Sequence, residues 1–214
     1  MADMDIYQHD ESFLRKGFNK IAGIDEAGRG PLAGPVVAAA VILKNYTTIK
    51  GLRDSKKVPE KERESLFNAI KEAALDIGIG IVEPEEIDRI NILKATKLAM
   101  QDAVNKLSVV PDLLIIDAVK IPSVSIKQIS YPKCESISAS VAAASIIAKV
   151  TRDRIMLDYH KIYPQYHFDR HKGYSTSEHL ELIRIHGPCP IHRKSFCGVK
   201  TLPLPFLIFS MNMV

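Results

Sequence analysis

Short apolar segments alternate with longer amphipathic ones along this chain, and two of the short segments end in carboxylates. Residues 20–26 close on Asp25 and Glu26, and residues 113–117 close on Asp117. Apolar segments of this length, bounded by turn residues, are typical of buried strands. Strands that alternate with helices predict an α/β domain built in layers.

The connection between the first two predicted strands indicates how they pair. Residues 20–26 and 35–43 are separated by a short turn, whereas a parallel crossover needs a dozen or more residues. These strands should therefore pair antiparallel. Helical patterns at residues 61–74, 84–107 and 137–159 separate the later apolar segments. We therefore expect a mixed sheet with helices on its faces.

The 214 residues suffice for one main domain with short appendages. Residues 1–18 are polar with scattered aromatic residues and predict a loose N-terminal lead-in. Residues 19–200 carry the alternating pattern and predict the main domain, including a basic, helical C-terminal region. Residues 201–214 are apolar and interrupted by prolines, so we expect a tail that either docks on the domain or remains mobile.

Cysteine usage and hydropathy predict the compartment. The three cysteines are too few, and odd in number, for a disulfide framework, which favours a reducing environment. The longest apolar runs, residues 35–43 and 141–148, are well short of the ~18 residues that a membrane span needs. The N-terminus lacks the basic and apolar regions of a signal peptide. We therefore expect a cytoplasmic protein that does not contact membranes.

Positive charge is concentrated towards the C-terminus. Residues 149–200 contain ten Lys or Arg and five Asp or Glu, a net charge of +5, although the whole chain carries only +4. A localised basic surface favours a polyanionic partner. A solvated surface that is basic by chance is the alternative on charge alone.

The acids at the strand ends are candidates for a metal site, and an ordinary pair of exposed acids beside a turn is the alternative for Asp25 and Glu26. Carboxylates gathered at one sheet edge repel each other, so they need a cation or a shared proton. Mg²⁺ and Mn²⁺ prefer such oxygen ligands. Adjacent strand residues point to opposite faces, so Asp25 and Glu26 can converge only if the strand ladder breaks at Glu26. We expect the turn that follows to supply this break.

Other kinds of site fit less well. The turn Gly28-Arg29-Gly30 resembles part of a dinucleotide-binding loop, but the spacing fails and an apolar strand follows instead of a helix. Such glycines can instead let backbone N–H groups approach a sugar or phosphate. Cys189 and Cys197 have irregular spacing around His192, with no second pair to complete a zinc site.

Several blocks of sequence, in this order, resemble ribonuclease HII. The resemblance covers about residues 20–196. Its blocks are residues 23–35 (GIDEAGRGPLAGP), 54–57 (DSKK), 116–118 (IDA), 140–153 (SVAAASIIAKVTRD) and 173–179 (GYSTSEH). It implies a ribonuclease-H-like mixed sheet with a helical C-terminal region. It also implies an endonuclease that cleaves the RNA strand of RNA–DNA hybrids and cuts beside single ribonucleotides embedded in duplex DNA.

The resemblance also implies roles for individual residues. The family's metal-binding acids match Asp25, Glu26 and Asp117. Its Gly-Arg-Gly stretch, which reads the ribose 2′-hydroxyl, matches Gly28, Arg29 and Gly30. The family's Gly-Tyr pair places an aromatic ring at the RNA–DNA junction, and the matching aromatic residue is Tyr174.

The fourth carboxylate departs from the family pattern. Ribonuclease HII usually has Asp here, whereas residues 133–136 read KCES and place Glu135 at this position. Glu is usual in the sister family, ribonuclease HIII, although Arg29 favours HII because HIII typically has Lys there. We expect Glu135 to be the fourth carboxylate. Asp153 is the competing candidate, but its place in a basic helix favours an ion pair.

The predicted mechanism uses two Mg²⁺ or Mn²⁺ ions about 4 Å apart, bridged by carboxylates. Arg29 and Lys56 are expected to position the phosphate backbone, and the basic region to hold the duplex. Cleavage should leave a 3′-hydroxyl and a 5′-phosphate, and we expect a monomer. Two alternatives remain open from the residues alone: a non-catalytic nucleic-acid-binding module and a nucleotide-dependent oxidoreductase.

Overall fold

A five-stranded sheet with the strand order β3-β2-β1-β4-β5 forms the centre of the molecule. The structure is a computed structural model that describes residues 6–117 and 119–200. The strands are β1 (Ile21–Ala27), β2 (Val36–Leu43), β3 (Ala74–Val82), β4 (Leu113–Asp117) and β5 (Gln128–Tyr131). The helices are α1 (Ile6–Leu14), α2 (Glu60–Ala73), α3 (Pro84–Ile90), α4 (Ile92–Asn105), α5 (Ala139–Ile162), α6 (Phe168–His171) and α7 (Ser177–His186).

The sheet is mixed, which confirms the prediction. Strand β1 pairs antiparallel with β2 across the short turn and parallel with β4 on its other side. Strand β3 continues the antiparallel part, and β5 extends the parallel part. The carboxyl ends of β1, β4 and β5 therefore lie at the same edge of the sheet.

Helix α5 packs closely on one face because small residues occupy both surfaces. Its N-terminal half is buried and consists largely of alanine and serine. A Cβ atom at Gly23 of β1 would lie 2.0 Å from the carbonyl carbon of Ser140. This distance is too short for any side chain at position 23. Glycine at this position therefore lets the helix backbone lie directly on β1. This contact carries Ser145, further along α5, to the carboxyl end of the strand.

Helix α4 covers the other face, where Ala99, Met100 and Ala103 are fully buried. The prediction of one helix over residues 84–107 is wrong, because two helices meet at Asn91. Asn91 has a φ of 72°, which interrupts the first helix, and its side chain accepts a hydrogen bond from the Lys94 N–H at 3.1 Å. The positive φ of Asn91 ends the first helix, and its side chain caps the second.

The expected loose lead-in is also incorrect over much of its length, since α1 is a helix that docks on the domain. Phe13 is buried beside Ile21 and Leu113. A carboxylate oxygen of Asp10 accepts a hydrogen bond from the Ser140 N–H at 2.8 Å. Residues 1–5 of the lead-in and the predicted tail, residues 201–214, lie outside the described residues.

The C-terminal region packs beside the turn that follows β1. Tyr166, Phe168 and Ile183 are buried with Leu32 from that turn. The backbone N–H of Leu32 donates to the Gly173 carbonyl at 2.8 Å. The helical C-terminal region is thus attached to the segment that joins β1 to β2.

Candidate active site

The parallel pairing of β1 and β4 brings two of the predicted acids together. The last paired residues of this ladder are Ile24 and Ile116, so Asp25 and Asp117 each follow the final rung. Both line an open cleft at the carboxyl ends of the strands. This is where open α/β sheets bind their ligands.

Glu26 also lines this cleft, but not because the strand ladder breaks at Glu26 as expected. The ladder between β1 and β2 does not break at Glu26, since Glu26 pairs with Ala38 and the following residue is paired as well. The expected break is therefore wrong for this side of the strand. The ladder with β4 does end before Asp25, so β1 projects beyond its parallel neighbour. Asp25 and Glu26 both line the cleft, although their side chains leave opposite faces of β1.

Each of these acids has a partner within the protein. Asp25 accepts a hydrogen bond from the Glu26 N–H at 2.7 Å, and Asp117 accepts one from the Cys134 N–H at 3.0 Å. Glu26 accepts from the Arg29 guanidinium at 3.3 Å. In this arrangement the described ranges contain no group of three or more His, Cys, Asp or Glu side chains that could hold a metal ion. Metal binding would require these side chains to turn towards a shared point.

Glu135 lies in a separate loop near Asp117 and is not among the residues that line the cleft. It lies in a short 3-10 turn between β5 and α5, and the Cys134 N–H that bonds Asp117 is in the same turn. The Glu135 side chain is buried, and its Oε2 atom has no hydrogen-bond partner. Its Oε1 atom lies 3.9 Å from the Lys56 ammonium. We call Asp25, Glu26, Asp117 and Glu135 the carboxylate cluster.

The electrostatics of the carboxylate cluster favour a bound cation. Burial, and then the charge of Glu26, raises the pKa of Asp25 well above its usual range. Burial also raises the pKa of Glu26 and of Glu135, and the charge of Asp117 adds to both shifts. Buried carboxylates that repel each other are stabilised by divalent cations, and oxygen ligands suit Mg²⁺ and Mn²⁺. The donor set and the unpartnered oxygen of Glu135 both fit such ions.

Asp153, the competing candidate for the fourth acid, has another partner. Its carboxylate lies 2.7 Å from the Lys149 ammonium, one turn earlier on α5. Both side chains are largely buried, at 11% and 19% exposure. This ion pair matches the interpretation that favoured Glu135 over Asp153.

The residues predicted to bind substrate lie around the same cleft. Gly28, Arg29, Gly30, Lys56 and Tyr174 all line it, and 41% of the Tyr174 surface is exposed. Burial works against the charge on Lys56, but the carboxylates of Glu135, Asp25, Asp54 and Asp117 raise its pKa overall. Lys56 therefore remains a fixed positive charge at the cleft.

Sequence reasoning did not single out two residues of α5 in this cleft. The Ser145 hydroxyl hydrogen-bonds Asp25, which lowers the pKa of that acid against the effect of burial, and it lies 2.8 Å from the Ser55 hydroxyl. The Lys149 ammonium lies 5.5 Å from the centre of the Tyr174 ring. Ser145, Lys149 and Asp153 follow each other at intervals of four residues, so one helix face carries all three. That spacing was the available signal.

Comparison with known proteins identifies the family. A family model described as ribonuclease HII matches residues 22–199. The chain belongs to the ribonuclease HII family. It is 57% identical over 194 residues to ribonuclease HII of Acetivibrio thermocellus, covering 91% of this chain and 75% of that protein. It is 53% identical to ribonuclease HII of Endomicrobium trichonymphae, covering 92% of this chain and 94% of that protein.

Solved structures agree with the fold. The crystal structure of ribonuclease H2 from Pyrococcus horikoshii matches with a TM-score of 0.72 and 29% identity, over 86% of this chain and 96% of that one. A structure of ribonuclease HIII in complex with Mn²⁺ matches with a TM-score of 0.65 and 23% identity, over 85% of this chain and 68% of that one. The second match supports the ribonuclease-H-like fold alone.

Family membership decides between the alternatives that the residues left open. As a member of this family, the protein is a ribonuclease H, a metal-dependent endonuclease that cleaves the RNA strand of RNA–DNA hybrids. A non-catalytic binding module and an oxidoreductase are therefore excluded.

No helix in the part of the chain that the structure describes is long and apolar enough to cross a membrane.

Proposed function

We propose that the carboxylate cluster holds two Mg²⁺ or Mn²⁺ ions and that the enzyme also cuts 5′ to single ribonucleotides embedded in duplex DNA. The observation that carries the proposal is the buried, unpartnered Oε2 atom of Glu135. The charge of Asp117 acts on the Glu135 carboxyl group, and Asp117 lines the cleft together with Asp25 and Glu26. When bound, such ions supply the means to activate water and to neutralise charge on the leaving 3′-oxygen. The products would carry a 3′-hydroxyl and a 5′-phosphate.

The residues around the cleft have separate parts in this proposal. Arg29 and Lys56 contribute positive charge for the phosphates of the cleaved strand. The backbone amides at Arg29 and Gly30 provide donors for the ribose 2′-hydroxyl, which distinguishes RNA from DNA. The Tyr174 ring packs on the sugar at the junction, where the nearby Lys149 and Arg152 cations support it.

The acids themselves require some rearrangement to bind ions. Glu26 would exchange its contact with Arg29 for metal ligation, and this would release the Arg29 guanidinium towards a phosphate. Ser145 would keep its hydrogen bond to Asp25 and orient that carboxylate. Arg29 thus neutralises Glu26 in the free enzyme and would contact substrate once the cations take over that role.

A duplex DNA with one ribonucleotide in a labelled strand tests the proposal. The enzyme should nick this strand 5′ to the ribonucleotide when Mg²⁺ or Mn²⁺ is present, and a DNA polymerase should extend the resulting 3′ end. The same duplex without the ribonucleotide is the control and should remain intact. Equal cleavage of both duplexes, or undiminished cleavage with a chelator, would refute the proposal.

A further inference from the structure

Two arginines lie beneath the glycine-rich segment, residues 28–35, and are completely buried. Arg152 from α5 and Arg193 from the C-terminal region are both 0% exposed. Within residues 6–117 and 119–200, neither guanidinium forms an ion pair with a carboxylate. Burying an unpaired charge is costly unless hydrogen bonds compensate for the lost water. The partners that compensate here are backbone carbonyls of the glycine-rich segment and its neighbours.

Arg193 holds the carbonyls of the two peptide groups at the cleft wall. Its Nη2 atom donates to the Gly28 carbonyl at 2.6 Å, and Nη1 donates to the Arg29 carbonyl at 3.1 Å. Nε and Nη2 both donate to the Gly34 carbonyl, at 3.0 and 2.8 Å. The planar fork of the guanidinium thereby joins the start of the segment to its end.

The opposite sides of these peptide groups are free. In a trans peptide the N–H points away from the carbonyl of the preceding residue. With the Gly28 and Arg29 carbonyls turned to Arg193, the N–H groups of Arg29 and Gly30 face away from it. Neither N–H donates to any acceptor among the described residues, and both residues line the cleft. Two donors are thus left available there, each on a peptide group polarised by a buried cation.

Arg152 supports the same segment from another direction. It donates to the carbonyls of Ala33 and Pro35, each at 3.0 Å, and to the Lys172 carbonyl at 3.1 Å. A Cβ atom at Gly28, whose φ is +97°, would lie 2.2 Å from the Arg152 Nε atom. Arg152 therefore secures the frame of the segment. Among the described residues, only Arg193 donates hydrogen bonds to the Gly28 and Arg29 carbonyls.

We propose that Arg193 is a positioning residue that sets the discrimination between ribose and deoxyribose. By fixing the Gly28 and Arg29 carbonyls, it aims the Arg29 and Gly30 N–H groups at the 2′-hydroxyl. This rests on the proposed reading of the 2′-hydroxyl by these amides. Burial, together with the nearby Arg152 cation, lowers the pKa of Arg193 to about 9, so it remains charged at neutral pH.

The test compares Arg193→Lys with the natural enzyme on two duplexes. Lysine keeps the charge, but its single nitrogen atom cannot reproduce the four hydrogen bonds that the guanidinium makes from three nitrogen atoms. We expect kcat/KM on the single-ribonucleotide duplex to fall about tenfold or more, the effect of weakening one or two hydrogen bonds. The inhibition constant of the matched all-DNA duplex, used as a competitor, should change less than about twofold because phosphate contacts persist.

A second variant keeps the test valid if Arg193→Lys does not fold. The Arg193 guanidinium lies 5.0 Å from the centre of the Phe196 ring, so Phe196→Leu should loosen it without removing it. We expect a smaller loss in the same direction. Arg184→Lys is the matched control, because Arg184 is exposed on α7 and paired with Glu181 at 2.6 Å. It should leave both constants unchanged.

The outcomes separate this inference from the proposed function. Selective loss of ribonucleotide cleavage with an unchanged inhibition constant supports the positioning role. If both constants deteriorate equally, or if Arg193→Lys retains full discrimination, Arg193 is merely structural and the inference is wrong. If the natural enzyme itself does not distinguish the two duplexes, the proposed reading of the 2′-hydroxyl fails first.

Discussion

The carboxylate cluster and the histidine–arginine layer (Arg152, His171, His179, His192 and Arg193) are both buried and polar, but they differ in how completely their groups are paired. The carboxylate cluster brings like charges together and leaves Glu135 Oε2 without a partner. In the histidine–arginine layer, no buried side-chain nitrogen or oxygen atom lacks a hydrogen-bond partner. A buried polar group without a partner usually indicates a missing ligand or water.

Hydrogen bonds in the histidine–arginine layer define the protonation of its imidazoles. The His179 Nδ1–H donates to the Tyr174 carbonyl at 2.9 Å, so its Nε2 atom accepts from the His192 Nε2–H at 3.0 Å. The remaining His192 Nδ1 atom then accepts from the Cys189 N–H at 2.9 Å. This chain requires both imidazoles to be neutral. Burial, the largest cause in each case, lowers the pKa of both to about 4.

The difference separates a functional site from its scaffold. The carboxylate cluster is destabilised by its own charges and would be stabilised by the cations that we propose it binds. The histidine–arginine layer is complete and holds the glycine-rich segment and Tyr174 in place. The two regions should also respond oppositely to acid. Raised carboxyl pKa values make the folded chain bind protons more readily than the unfolded chain, and lowered imidazole pKa values do the reverse.

The largest expected effect follows from neutralising the carboxylate cluster. Asp117→Asn keeps an oxygen that accepts the Cys134 N–H but removes a charge that favours metal binding. We expect single-turnover cleavage to fall by at least ~10²-fold, because a major electrostatic contribution is lost. The melting temperature should stay the same or rise, because repulsion with Asp25 is relieved.

Asp112→Asn is the matched control for this variant. Asp112 precedes β4 at the opposite end of the sheet and accepts from the Asn19 and Lys20 N–H groups, both at 3.0 Å. The Asp112→Asn variant should retain normal cleavage activity. Near-normal turnover in Asp117→Asn would contradict the assignment of the metal site.

The second-largest expected effect is that acid lowers the folding stability contributed by the histidine–arginine layer. As pH falls from 6.5 towards 4, the unfolded chain protonates its histidines first, so stability is lost in that window. By pH 5, His179 and His192 should each contribute a loss of about 2 kcal/mol, given 1.36 kcal/mol per pKa unit. Urea unfolding at pH 7.5 and pH 5.0 measures the effect.

A variant isolates this contribution from the opposing carboxylates. His179→Asn can still donate to the Tyr174 carbonyl but no longer titrates. It should be less stable at pH 7.5 and should lose less stability than the natural protein between pH 7.5 and pH 5.0. If the variant and the natural protein lose the same free energy of unfolding between pH 7.5 and pH 5.0, the fold does not keep His179 neutral.

Glu135→Gln should produce a moderate loss of activity. A neutral amide is a poor ligand for a hard cation. Since even the loss of residues that merely orient metal ligands costs about 10–100-fold, the rate should fall at least about tenfold. Glu135→Asp should cost less, and raising Mn²⁺ should partly restore it, because Mg²⁺ demands stricter geometry.

Glu72→Gln, on the exposed surface of α2, is the control for these changes and should behave like the natural enzyme. Measuring the melting temperature and the single-turnover rate on the same samples distinguishes ligation from helix stabilisation. A small change in stability with normal turnover would exclude Glu135 as the fourth ligand and redirect attention to Asp153.

The smallest expected effect concerns Tyr174 at the rim of the cleft. Tyr174→Ala removes the ring that would pack on the junction sugar. The loss in kcat/KM should be at least about threefold greater on a single-ribonucleotide duplex than on a long hybrid, which offers many alternative registers. Tyr46→Ala, at 77% exposure on the far end of the sheet, is the control. Equal losses on both substrates would argue against junction recognition.

Local patterns in the sequence were sufficient to predict the framework of the site. Apolar segments that end in Asp25 and Asp117 predicted two strands with acids at their ends, and both strands formed as expected. The short turn between β1 and β2 predicted their antiparallel pairing. The break at Asn91 was missed because one residue with positive φ interrupts a continuous helical pattern.

Features that depend on distant contacts were decided only by the tertiary structure. Helix α1 is only nine residues long, and its attachment became apparent only through the docking of Phe13 on β1 and β4. Charge patterns alone predict that Arg152 and Arg193 are solvated, since charged residues are normally exposed. Their burial depends on carbonyls more than a hundred residues away in the chain. The sequence therefore determined which side chains are available for the proposed chemistry, and the packing of remote segments decided how those residues are held.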